Sequence, residues 1–156
     1  MKGTIDGRLA ELKIELPQAS APVGNYVPFV IVDRLVHVSG QVPAWNGTLK
    51  HVGKVGEALG IDDGYAAARI CALNLLAQLR VACNGDLDRV KRVVRLGGFV
   101  NSTPEFKDAP KCVNGASDLM VEVFGKAIGA HARVAVGVAS LPAGVAVEVD
   151  GMFEIA

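Results

Sequence analysis

HARVAVGVASLPAGVAVE, His131 to Glu148, is the stretch on which the fold turns. In an extended chain successive side chains point to opposite faces. From Ala132 to Ala139, then, Val134, Val136 and Val138 share one face, expected to be a core face, and Arg133, Ala135, Gly137 and Ala139 share the other. That second face sets an arginine among residues too small to crowd it. The segment Gly144–Ile155 repeats the alternation, with Val145, Val147 and Val149 on one side and Ala146, Glu148 and Asp150 on the other. If the two segments pair as an antiparallel hairpin around Leu141–Pro142–Ala143, matching the valine faces puts Arg133 and Glu148 on the same side. Such a pair has two readings. It is a structural ion pair at a subunit contact, or it is a site. A guanidinium binds a carboxylate through two parallel hydrogen bonds, and a neighbouring carboxyl group holds or activates a water. The second reading suits a small ligand with a carboxylate next to a reactive centre.

Upstream of the hairpin, Val90–Val100 reads as a strand with Val94, Leu96, Gly98 and Val100 on one side. A helix precedes it, opened by Asp62–Asp63 as an acidic N-cap and carrying Tyr65, Ala68, Ala72, Leu75, Leu76, Leu79 and Cys83 as one apolar stripe. Asn84–Gly85 stops that helix. A second helix follows Asp108, with Pro110 in its first turn and a stripe of Val113, Ala116, Met120, Val123 and Phe124. Earlier, Val27–Val32 and Leu35–Ser39 read as strands joined at Asp33–Arg34, and Ile5–Leu16 as a short amphipathic helix ended by Pro17. Gly40–Gly60, broken by Pro43, Gly47, Gly53 and Gly56, reads as a long loop, either functional or a surface excursion. The expected class is α/β (α+β). One mixed sheet carries two long helices on one face, in a single domain spanning 1–156 with an N-terminal helical extension at 1–16. The sheet's other face needs a cover, and a second copy of the chain is the expected one.

Composition narrows the function classes. With 16 basic and 16 acidic residues the net charge is zero, and only 5% of residues are aromatic, so the chain lacks the field and stacking surface of a nucleic-acid binder. Lys91, Arg92 and Arg95 form the one local basic cluster and read as a solvated strand edge. The three cysteines, Cys71, Cys83 and Cys112, are far apart and read as free buried thiols of a reducing compartment. His37 and His51 lack metal-ligand spacing, so no metal is expected. His131 reads as structural, on the opposite face of its strand from Arg133. The N-terminus has no apolar run of signal or membrane-span length, so a cytoplasmic protein without a membrane partner is expected.

Several short motifs occur in a fixed order: Gly24–Asn25–Tyr26, Val38–Ser39–Gly40–Gln41, Asp88–Arg89–Val90, Ala132–Arg133, Leu141–Pro142 and Val147–Glu148. With them the chain, from about Ala21 to Glu154, resembles the YjgF or Rid (reactive intermediate deaminase) family. The resemblance implies a chorismate-mutase-like fold assembled as a homotrimer, with ligand clefts between subunits. It also implies hydrolysis of enamines and imines such as 2-aminoacrylate and 2-iminobutanoate to 2-keto acids and ammonia, without metal or organic cofactor. Carried over by position, Arg133 clamps the substrate carboxylate and Glu148 orients the attacking water. Tyr26 lines the cleft, Ser39 and Gly40 form its rim, and Asn114 contributes to binding. The structural alternatives are a packing role for Tyr26, a strand-ending turn at Ser39–Gly40, and simple exposure of Asn114. Where characterised members often carry Cys and Glu after the arginine, this chain has Ala135 and Gly137. That departure keeps open a non-catalytic trimer that binds small carboxylates or 2-keto acids. The ribonuclease and translation-inhibitor label attached to the family is disfavoured by the neutral charge and scarce aromatics.

Overall fold

Two helices cover one face of the sheet because their apolar stripes are long enough to do so. A computed structural model describes residues 3–156, so residues 1–2 of the expected extension lie outside the described residues. Helix α1 spans Thr4–Glu11, α2 Ile61–Ala82 and α3 Ala109–Gly129. Five strands form the main sheet: β1 Phe29–Val32, β2 Leu35–Gln41, β5 Val90–Asn101, β6 Ala132–Val138 and β7 Val147–Ile155. A separate small hairpin, β3 Ala44–Trp45 and β4 Thr48–Leu49, lies within the long loop. Ala68, Ala72, Leu75, Leu76 and Leu79 of α2 and Cys83 at its C-cap are all buried, and so are Val113, Ala116, Met120, Val123 and Phe124 of α3. Together with Val36, Val93, Leu96, Val147, Val149 and Phe153 of the sheet they make one continuous core. Where α2 and α3 cross, Gly64 and Gly115 face the partner helix. A Cβ on Gly115 would run into the Tyr65 carbonyl oxygen, so only glycine lets the helices come this close.

Helix ends differ from expectation in detail. Gly60, not Asp62, is the N-cap of α2, and the Asp63 carboxylate reaches back to accept from the Gly60 N–H at 2.9 Å. The acidic pair still serves the helix terminus, from within its first turn. Helix α1 ends a turn before Pro17 because Lys13 takes a left-handed conformation (φ 55°) and lets the Ile14 N–H close on the Leu9 carbonyl. Its N-terminus is capped from a distance, since Asp88 accepts from the Thr4 and Ile5 N–H groups, each at 2.8 Å. The Gly40–Gly60 loop is partly ordered by its own hairpin, whose Asn46–Gly47 turn has positive φ at both residues. Lys54 then straps it down, donating to Asn101 Oδ1 (2.8 Å), the Ser102 carbonyl (3.3 Å) and the Ala139 carbonyl (2.6 Å).

The strand order β1-β2-β7-β5-β6 corrects the expected hairpin. Strands β6 and β7 do not pair. Strand β5 lies between them, parallel to β6 and antiparallel to β7. The β5–α3–β6 crossover makes this the natural arrangement, because a helix returns the chain parallel to the strand it left. Two register shifts in β5, between Val90 and Arg92 and between Val93 and Arg95, also move Val93 rather than Val94 into the core. The register further inverts the faces expected of β6. Arg133 lies beside Leu96, a core position, so Arg133, Ala135 and Gly137 are on the helix side, while Val134 and Val136 project from the open face. The open face is therefore apolar in part: Val30, Val134 and Val136 remain 37–47% exposed.

Candidate functional site

Because β5 intervenes, Arg133 and Glu148 do not meet within one chain. Arg133 is level with Leu96 and Gly151, whereas Glu148 is level with Phe99 and Val136, three residues along and on the opposite face. At strand spacings of about 4.8 Å and rises of about 3.3 Å per residue, their Cα atoms lie roughly 14 Å apart. The intrachain ion pair offered by the sequence does not exist in this geometry. The predicted residues instead fall into two groups on opposite sides of the sheet.

The first group sits at the β6 edge. The Arg133 guanidinium lies along α3, donating from Nη1 to Ser117 Oγ (3.1 Å) and from Nη2 to the Pro110 carbonyl (3.2 Å). Asn114 is exposed on α3 between those two anchors in sequence, at helical spacings that place all three on one face. None of the ion pairs among the described residues includes Arg133. A cation fixed only by neutral acceptors, at a sheet edge, keeps its charge and its remaining N–H groups for an anion. His131 corrects its expected placement. It lies two residues before Arg133, hence on the same side, and bonds the same Ser117 hydroxyl (Nε2 to Oγ 2.8 Å). Of the positions after the arginine on this side, Gly137 fits because a Cβ there would press on Ser102 Oγ.

The second group gathers where β2 ends. Between Val38 and Gln41 the β2–β7 register shifts, making a bulge at Ser39–Gly40. The Glu148 carboxylate rests over Gly40 so closely that a Cβ on Gly40 would collide with Glu148 Oε1. Glycine at this position is what lets the carboxyl come so close to the backbone. Partial burial, and secondarily the charge of Asp150, hold the Glu148 carboxyl above its ordinary value. Ser39 donates its hydroxyl to the Val27 carbonyl (2.7 Å), and half-exposed Tyr26 accepts at its hydroxyl from the Val23 N–H (3.2 Å). Ser39 thus ties the Tyr26–Val27 segment to the end of β2.

A cavity of about 520 Å³ opens beside this group, lined by Tyr26, His37, Ser39, Arg95, Asp150 and Met152 among others. Arg95 and Asp150 were not singled out by sequence as site residues. They form an ion pair (3.5 Å), and Gly97 leaves the room that Asp150 occupies. Lys91, Arg92 and Arg95 are exposed as expected, but the expected edge is corrected, since β5 is an inner strand and Arg95 faces the cavity. The available signal was an arginine two residues before a pair of glycines in an apolar strand. Among the described residues no group of three His, Cys, Asp or Glu side chains is placed to hold a metal ion, and no helix is long and apolar enough to cross a membrane. The three cysteines are free and buried, and burial raises the thiol of each, Cys112 to about 11.

Comparison with known proteins gives this geometry a context. A family model described as "YjgF/chorismate_mutase-like, putative endoribonuclease" matches residues 6–150. The chain is 50% identical over 153 residues to Protein TCP17 of Trypanosoma cruzi, covering 98% of this chain and 95% of that protein. Among solved structures it is similar to the protein Atu1372 of unknown function from Agrobacterium tumefaciens, with 47% identity, a TM-score of 0.90, and 97% and 92% of the two chains covered. It is similar also to a protein from Shewanella oneidensis described as a putative endoribonuclease, with 37% identity, a TM-score of 0.93, and 98% and 100% covered.

Proposed function

Because the chain belongs to the YjgF/chorismate-mutase-like family, we propose that it hydrolyses reactive enamines and imines of small amino acids to 2-keto acids and ammonia, in clefts formed between copies of a homotrimer. The observation that carries this reading is the division of the site. Arg133 is an uncompensated cation at the outer edge of β6, and Glu148 is a partly buried carboxyl beside the β2 bulge, on the other face. Each half lacks what the other has. A neighbouring copy that covers the apolar open face could bring its Arg133 and Asn114 to the Tyr26, Ser39, Gly40 and Glu148 of the first chain.

In such a cleft Arg133 binds the substrate carboxylate and holds the adjacent C=N carbon near Glu148. Glu148 accepts a proton from water as the water oxygen bonds to that carbon and the C=N π electrons move to nitrogen. From a protonated imine the resulting carbinolamine is neutral. It takes on nitrogen the proton that Glu148 holds, and the C–N bond breaks to release ammonia. The hydroxyl oxygen passes its proton to Glu148, and on to ammonia, as the C=O of the keto acid forms. Water is the only co-reactant and no electrons are exchanged. A carboxyl held above its ordinary value suits both the base and the acid step. The test is keto-acid release from 2-iminobutanoate. Wild type is expected to exceed buffer, and Arg133→Ala to lower kcat/KM by about 10- to 100-fold, the loss of a charged hydrogen-bonded contact. Release unchanged by Arg133→Ala, or none above buffer in wild type, overturns the reading.

Ala135 and Gly137 favour a second reading, because the two positions that follow Arg133 on its side of β6 carry no titratable group. In that reading the trimer captures small carboxylates or 2-keto acids without converting them. Stabilisation of wild type by 2-keto acids in thermal shift, with no turnover, is its signature. Ribonuclease activity is not adopted, given the zero net charge and few aromatics.

A further inference from the structure

Beyond the clamp itself, we infer that His131 and Ser117 form a relay that aims the Arg133 guanidinium, which makes both of them positioning residues for the carboxylate end of the ligand. The inference rests on the reading of Arg133 as a carboxylate clamp. The direction of the relay follows from what each atom can do. The Gly129 carbonyl oxygen, 2.6 Å from His131 Nδ1, can only accept, so Nδ1 carries a proton. In the neutral ring Nε2 is then a bare acceptor, and it lies 2.8 Å from Ser117 Oγ. The hydroxyl spends its single proton on Nε2 and turns its lone pairs to Arg133 Nη1 at 3.1 Å. Every donor in the chain from Arg133 to Gly129 meets an acceptor.

Without His131 the Ser117 hydroxyl is free to turn to the carbonyl of the preceding helical turn, as mid-helix serines do, and its lone pairs leave the guanidinium. The relay removes that option. It also starts from a rigid point, since Gly129 ends α3 packed against the Met120 carbonyl so tightly that a Cβ would clash. With the Pro110 carbonyl anchoring Nη2, two of the five guanidinium N–H groups are fixed by the chain and three are left for a ligand. Neither His131 nor Ser117 needs to touch the ligand to orient them.

The test measures binding of 2-oxobutanoate and of its uncharged amide to the full-length protein by calorimetry, with the His131 tautomer read by long-range ¹H–¹⁵N NMR. Ser117→Ala is expected to weaken 2-oxobutanoate about tenfold and to leave the amide unchanged, while Ser117→Thr restores affinity to within about twofold. His131→Phe is expected to weaken the carboxylate as well, and the Ser117→Ala/His131→Phe double variant to be no weaker than Ser117→Ala alone, because the histidine acts through the serine. The NMR spectrum is expected to show the Nδ1–H tautomer. Wild-type affinity in both Ser117→Ala and His131→Phe, with binding lost only in Arg133→Ala, overturns the relay and leaves the clamp standing. A ring protonated at Nε2 alone does the same. Binding that survives Arg133→Ala, or a wild type that binds no 2-oxobutanoate, overturns the clamp and the relay with it.

Discussion

Glu148 shows at the scale of one residue how a site is set against stability. Its carboxyl is held up first by burial and then by Asp150, so the fold favours the neutral form. The stability this contributes is fully present below the carboxyl's ordinary value of 4.5 and is lost as pH rises through the higher folded value. Glu148→Gln is neutral at every pH and loses nothing. Its Tm is expected to exceed that of wild type by a margin that grows from about pH 4 to about pH 7, while hydrolysis falls by about 100-fold. A Tm difference that is flat across that range contradicts the assignment. The identity of Glu148 as a candidate was legible from the Val147–Glu148 motif. Its seat over Gly40 was not, because a β-bulge is a feature of pairing between strands and leaves no period in either one.

At the scale of elements, the helices were legible and the pairing of the last two strands was not. Stripes such as Leu75, Leu76 and Leu79 or Val113, Ala116 and Met120 face the core as their spacing requires. The valines of β6 misled for a physical reason: both faces of that strand are apolar or small, so alternation alone does not say which one meets the helices. The inserted β5 then defeated the expectation that consecutive strands are neighbours. Packing of α2 on α3 offers a test of how closely the helices approach. Gly115→Ala places a Cβ on the Tyr65 carbonyl and is expected to cost about 1–3 kcal/mol in urea unfolding. Gly7→Ala in α1 meets nothing within 4 Å and is expected to be neutral or to gain up to about 1 kcal/mol. Equal effects of the two changes contradict the close-approach account.

The whole molecule has an open sheet face with exposed valines and two groups of candidate residues that its own strand order keeps apart. The open face was visible in the sequence, because helices were expected on only one face. That Arg133 and Glu148 lie apart was not visible, since the hairpin reading put β6 and β7 side by side. The central claim is that Arg133 of one copy works with Glu148 of another. It is tested most directly by mixing two impaired variants, Arg133→Ala and Glu148→Gln, by co-refolding equal amounts and assaying 2-iminobutanoate hydrolysis. Half of the clefts draw an intact arginine and half an intact glutamate, so random assembly of a homotrimer is expected to restore about one quarter of wild-type activity. A mixture no more active than its components, although both variants assemble, would contradict the account.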